Sequence, residues 1–333
     1  MIALVLIFFL FVILIASEVF VNALEHLGEK LGISEGVTGS IFAAVGTALP
    51  ETIVPLLAIF AGSPDQRVNE EIGVGAILGA PLMLSTLSLC LMAGSVWKRR
   101  GTHGHLSPER SGLTRDLNFF LAAFALATVA LFVPHETTAV RACLAFVMVL
   151  IYFFYVMLTL KASAALVEDG HGTEAGKPMH LARIGLPTNW FSILVQLGLG
   201  LALLVGGAKG FIYGIEQAAP LLGISALVLS LMIVPIATEL PEKVNSILWI
   251  RRHKDTLAFG NITGAMVFQG TLLPAIGILL TPWAPVKAVI AGVAITLAAA
   301  AWLRFMLGRG QLRVWHLGLN GLLYVTYLVL ALS

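Results

Sequence analysis

Gly46-Thr47-Ala48-Leu49-Pro50-Glu51 recurs 191 positions later as Ala237-Thr238-Glu239-Leu240-Pro241-Glu242. The register extends outward without a gap, placing Leu31-Gly32-Ile33-Ser34 on Leu222-Gly223-Ile224-Ser225 and Glu25 on Glu216. Both copies lie in apolar runs, where a carboxylate is costly and therefore marks function. Each Pro also withholds an N–H from its helix, so Pro50 leaves the carbonyl of residue 46 without a donor. Thr47 and Glu51 stand one helical turn apart and share a face, as do Thr238 and Glu242. Each copy thus gathers a hydroxyl, a carboxylate and a freed carbonyl. Such all-oxygen ligation suits hard cations such as calcium and sodium rather than zinc or copper. If the copies face each other, Glu51 and Glu242 share one ion.

Composition sets the surroundings. The 333 residues are 58% hydrophobic and 11% charged, with a mean hydropathy of +0.94. An ordinary soluble domain carries roughly 25% charged residues, so the chain is read as an all-α integral membrane protein. About ten apolar runs, each close to the ~20 residues that cross hydrocarbon, are centred near residues 10, 48, 83, 126, 150, 201, 236, 270, 296 and 323. The first run is read as a retained helix and not as a removed signal peptide. Ten crossings split as two five-helix repeats: 1–160, a connecting loop 161–189, and 190–333. An odd number of crossings per repeat inverts the second copy, which places a substrate site at the midplane between the halves.

Loop charge gives the expected orientation. Of 20 Lys and Arg, fifteen fall in odd-numbered loops and only Arg67, Arg141 and Lys287 in even ones, with Lys209 and Lys243 inside spans. Cytoplasmic loops carry the positive excess, so loops 97–116 and 161–189 are expected in the cytoplasm of an inner or plasma membrane protein, with both termini outside. Cys90 and Cys143 stand apart in apolar runs and read as reduced packing residues. His103, His105, His171 and His180 lack partners at metal-ligand spacing. No basic, aromatic-interleaved face suggests nucleic acid. The expected partners are the lipid bilayer and inorganic cations.

The paired motifs resemble the alpha repeats of the cation/calcium exchanger superfamily, typified by sodium/calcium exchangers. That family's pattern, Gly-Thr-Ser-Leu-Pro-Glu, is followed one helix later by Gly-Asn-x-x-Gly-Ser and then an Asn or Asp. Gly260-Asn261-Ile262-Thr263-Gly264-Ala265 follows the second pattern well, and Gly75-Ala76-Ile77-Leu78-Gly79-Ala80 follows it poorly. The resemblance implies ten helices in two inverted halves that exchange calcium for sodium or protons. It also implies cation binding by Glu51 and Glu242, helped by Thr47 and Thr238, with Asn261 and Gln269 in the ligand positions of the following helix. Pro50, Pro241 and Gly46 shape the motifs; Gly75, Gly79, Gly260 and Gly264 allow close helix approach. The chain departs from the pattern at Ala48, Ala80 and Ala265, where hydroxyls are missing, and at Leu84, where a polar ligand is missing.

Glu239 replaces the motif's Ser in the second copy. It either supplies an anionic oxygen to the cation or pairs with Lys243 four residues on, an arrangement that stabilises helices; in the first case Lys243 snorkels to the cytoplasmic end. Three neighbouring carboxylates repel one another, and holding a proton offsets that repulsion, which suits a proton-coupled cycle. Glu18 with Asn22, and Lys209, read as helix-to-helix contacts, Glu25 and Glu216 as solvated residues near helix ends, and His135 with Glu136 as an outside turn. The sequence points to a secondary cation antiporter, exchanging Ca2+ for Na+ or H+ by alternating access and needing no cofactor. The alternatives are proton-coupled transport of another cation, or a membrane scaffold that has lost transport. No paired acidic or His-Glu-x-x-His motif suggests an enzyme.

Overall fold

The structure is a computed structural model that describes residues 1–30, 43–62, 64–168, 178–310 and 312–333. Among these, the first half contains α1 (Ile2–Lys30), α2 (Ala43–Ala61), α3 (Gln66–Met83), a π turn (Leu84–Ser88), α4 (Leu89–Arg100), α5 (Arg110–Ala130) and α6 (Thr138–Glu168). The second contains α7 (Trp190–Leu222), α8 (Ala226–Thr238), α9 (Leu240–Arg251), α10 (Asp255–Leu280), α11 (Lys287–Gly308) and α12 (Val314–Leu332). Among the described residues, eight stretches are long and apolar enough to span a membrane, with Gln66–Arg100 counting as one. The remaining two crossings come in short apolar pieces, Pro50–Ala61 and Ala226–Thr238. Of the two Pro-Glu motifs, the second lies at a helix break at Glu239, while the first lies within α2, which continues through Pro50. The duplicated Leu31–Ser34 and the centre of the connecting loop, including His171, lie outside the described residues.

Packing reveals the inversion. α10 of the second half lies against α5 and α6 of the first, while α3 and α4 lie against α11 and α12. α1 packs along α7, its own counterpart. Each repeat thus embraces the inner helix of the other, the exchange that a pseudo-twofold axis in the membrane plane requires. Large apolar side chains such as Phe8, Phe153, Phe191 and Leu322 point outward, which costs nothing where the solvent is lipid.

Glycine sets the central approach. A Cβ on Gly75 would lie 2.7 Å from Ser230 Cβ, and one on Gly79 would lie 2.5 Å from the Leu231 carbonyl oxygen. The Ser230 hydroxyl spans the same seam, donating to the Ile72 carbonyl at 2.7 Å. Around Gly260 and Gly264, by contrast, no described atom comes closer than 3.8 Å to such a Cβ. The counterpart of α8, residues 35–47, is mostly outside the described residues. Gly79→Ala is expected to cost about 1–3 kcal/mol, because backbone must retreat from the added methyl; the thermal unfolding midpoint of the detergent-solubilised protein measures it.

Other polar groups tie helices together. The π turn frees the Ser85 carbonyl, which accepts from Asn320 Nδ2 at 2.7 Å. Gln196 of α7 donates to Asn22 Oδ1 of α1 at 2.9 Å, the helix-to-helix bond expected of Asn22. Lys209 instead lies on an exposed face of α7, with no polar partner among the described residues. Arg141 belongs to α6 rather than to a loop and binds the carbonyls of Ile278, Thr281 and Pro282, satisfying the end of α10. Both cysteines are free, with Cys90 half-buried and Cys143 exposed rather than buried.

Candidate cation site

Helix geometry breaks within the second motif. Glu239 has φ −108° and ψ 12°, outside the helical region, and separates α8 from α9. Pro241 and Glu242 then open α9, and Lys243 follows at once. In the first motif α2 runs unbroken from Ala43 through Pro50 and Glu51. The two motifs have the same spacing but different backbones, and the second carries Glu239 where the first has Ala48.

These elements bring together five buried polar side chains: Glu51 and Glu242 are 4% exposed, Lys243 5%, and Glu239 and Gln269 0%. Glu51 lies in the fields of Glu242 and Glu239, and Gln269 reaches toward both Glu51 and Glu239. Their atoms nevertheless go largely unbonded. Glu51 Oε1, both Glu239 carboxylate oxygens, Glu242 Oε2 and both Gln269 amide atoms have no well-aligned hydrogen bond. Buried polar atoms are ordinarily satisfied, and each exception needs an account. Converging unbonded oxygens from α2, the α8–α9 junction, α9 and α10 fit the coordination shell of a hard cation.

Lys243 lies beside Glu239. Its ammonium does not snorkel; it donates to the Pro235 carbonyl at 2.9 Å and to Met83 Sδ at 3.0 Å, with Glu239 Oε2 3.5 Å away. Glu239 pairs loosely with Lys243 and still faces Glu51 and Gln269. The formal charge of Glu51, Glu239, Glu242 and Lys243 together is −2.

The other named residues fall around this centre. Thr238 is buried and donates to the Val234 carbonyl at 3.3 Å, within its own helix. Asn261 Nδ2 donates to the Glu242 carbonyl and to Ser246 Oγ, each at 2.9 Å, so its amide anchors α9 to α10. The side chains of Gly46, Thr47 and Pro241 are outside the described residues. Sequence reasoning missed Met83, whose sulfur gives no pattern, and also Asp116. Asp116 Oδ1 accepts from Tyr155 at 3.1 Å and Oδ2 from Thr263 at 2.7 Å, a bonded carboxylate against the Gly260–Gly264 stretch of α10. Its position at the edge of a polar connection hid it.

The family profile described as sodium/calcium exchanger protein matches residues 1–161 and 192–333. The chain belongs to that family. Two bacterial relatives of this exchanger are 26% identical to it. One, from Alkalimonas amylolytica, bears the name of an antiporter, CaxA, and aligns over 280 residues, 80% of this chain and 77% of its own. The other, the inner membrane protein YrbG of Escherichia coli, aligns over 277 residues, 82% of this chain and 78% of its own. Among solved structures, the H+/Ca2+ exchanger CAX superposes with a TM-score of 0.72 at 19% identity, covering 98% of this chain and 82% of its own. At that identity the likeness establishes the fold, in agreement with the swapped packing of the two halves.

Proposed function

We propose that this exchanger moves calcium across the cell's inner or plasma membrane in exchange for protons, by alternating access at the site between Glu51 and Glu242. The observation that carries this reading is the set of buried, unbonded carboxylate oxygens meeting from both halves. A net formal charge of −2 balances one divalent ion, and two protons balance it equally on the return. Sodium has less to hold it: Ala48, Ala80 and Ala265 carry no hydroxyl where the family pattern has Ser, and Lys243 already brings one positive charge. Loop charge supports cytoplasmic positions for 97–116 and 161–189 and outside positions for both termini.

Purified protein in proteoliposomes tests the proposal. Uptake of 45Ca2+ is expected when the lumen is acidic, to stop when a protonophore and nigericin collapse the gradient, and to be indifferent to an outward sodium gradient. Uptake driven by sodium alone would replace protons by sodium as the coupling ion. No uptake under either gradient, in a protein that remains folded, would favour the scaffold, for which Leu84 and Ala80 in the first repeat are the observations.

A further inference from the structure

Lys243 is a charged side chain that the exchange of calcium does not by itself require. It projects from α9 immediately after Glu242, and its ammonium is buried where α3, α8 and the α8–α9 junction meet. Its ion pair with Glu239, one helical turn back, is long at 3.5 Å. Here the nearest atoms are neutral: the Pro235 carbonyl oxygen at 2.9 Å and Met83 Sδ at 3.0 Å. The carboxylate of Glu239 stands further off, at 3.5 Å, and both of its oxygens lack an aligned hydrogen bond. In secondary transporters the backbone carbonyls at an interrupted helix coordinate sodium, and here the Pro235 carbonyl is such a group with a carboxylate beside it. The thioether completes the set for an N–H donor, whereas sulfur is a poor ligand for hard cations such as sodium.

The formal charge agrees with this geometry. Glu51, Glu239 and Glu242 together carry −3, which one divalent ion leaves unbalanced by one unit. The ammonium of Lys243 supplies that unit from within the chain. The first repeat has nothing comparable: Thr52 occupies the matching position and donates to the Ala48 carbonyl at 2.7 Å.

We propose that the Lys243 ammonium is a tethered cation that permanently fills the place of a monovalent ion between the Pro235 carbonyl and the Glu239 carboxylate, so that the exchanged ion loads without sodium beside it. This rests on the reading of Glu51 and Glu242 as the exchange site, and it makes Lys243 a specificity-determining residue. Shortening the side chain vacates the subsite and leaves oxygen ligands around it. Lys243→Ser should therefore acquire sodium binding that the natural chain lacks, and Lys243→Arg, which keeps the charge, should not.

Direct binding of 22Na+ to purified protein in a scintillation proximity assay, without calcium, is the deciding measurement. The expected result is no saturable signal for the natural chain or for Lys243→Arg, and saturable binding for Lys243→Ser. In the same protein, replacing choline by sodium should change the apparent calcium affinity of Lys243→Ser by about tenfold, the equivalent of one modest electrostatic interaction, and leave the natural chain unchanged. A merely structural lysine could lower stability but would not create a sodium site. Saturable 22Na+ binding to the natural chain would overturn the proposal even if the serine variant fails to fold. A folded serine variant that binds no sodium would overturn it too. If the natural chain neither binds nor moves calcium, the exchange reading fails, while the 22Na+ comparison still decides the role of Lys243.

Discussion

Glu242→Gln and Glu51→Gln are each expected to abolish calcium exchange, lowering 45Ca2+ uptake in proteoliposomes at least about a hundredfold while the protein stays folded. The amide keeps the shape of the carboxyl group and removes the charge that offsets dehydration of the ion. Losing one charge-assisted contact of about 3 kcal/mol in a buried site corresponds to roughly two decades in binding. Both variants should unfold no earlier than the natural chain, because like charges held close without a cation are mutually destabilising. A Glu51→Gln protein that exchanges calcium normally would remove α2 from the site. Equal loss in the two variants would show that the halves act on one ion.

The second large effect is expected at the cytoplasmic end of the bundle by the loop-charge assignment. Arg100 closes α4 and forms a bidentate pair with Asp255, the first residue of α10, at 2.8 and 2.9 Å. Its guanidinium also donates to the Ile250 carbonyl on α9, while Asp255 Oδ2 accepts from the Ser107 N–H at 2.9 Å. Both side chains are only 8% exposed. Arg100→Met leaves Asp255 buried and uncompensated, an error that costs about 3–5 kcal/mol. A large drop in the unfolding midpoint should follow, with partial recovery in Arg100→Met/Asp255→Asn, where the orphaned charge is gone. If the single and double variants unfold together, the pair is not what holds α4 to α10.

Much of this architecture was legible in the sequence. The 191-residue register points to two halves, hydropathy to about ten crossings and loop charge to their orientation, and the packing of α10 on α5 and α6 shows the exchange between halves. Glu51, Glu242, Glu239 and Gln269 converge; for Glu239 the sequence leaves open a cation ligand or a partner for Lys243. Other features depend on where the chain folds back. Nothing in the order of residues aims Lys243 at a methionine 160 positions away. The sequence reads Asn261 as a ligand; its Nδ2 donates to the Glu242 carbonyl and Ser246 Oγ, a tie between α9 and α10 that residue order does not show and that leaves its Oδ1 as the atom for a cation. Asp116 follows Arg115 and looks like a loop residue until α5 is seen to start at Arg110, which carries its carboxylate inside to Tyr155 and Thr263.

The unlike backbones of the two motifs have a further consequence. In a carrier made of two identical inverted halves, rocking from one orientation to the other only swaps the names of the halves, so the empty protein would spend equal time open to each side. Here one half has Ala48 and Thr52 on a continuous helix, and the other has Glu239 and Lys243 at a break. That degeneracy is lifted, and the unloaded carrier has a resting side chosen by its own sequence before any gradient is applied.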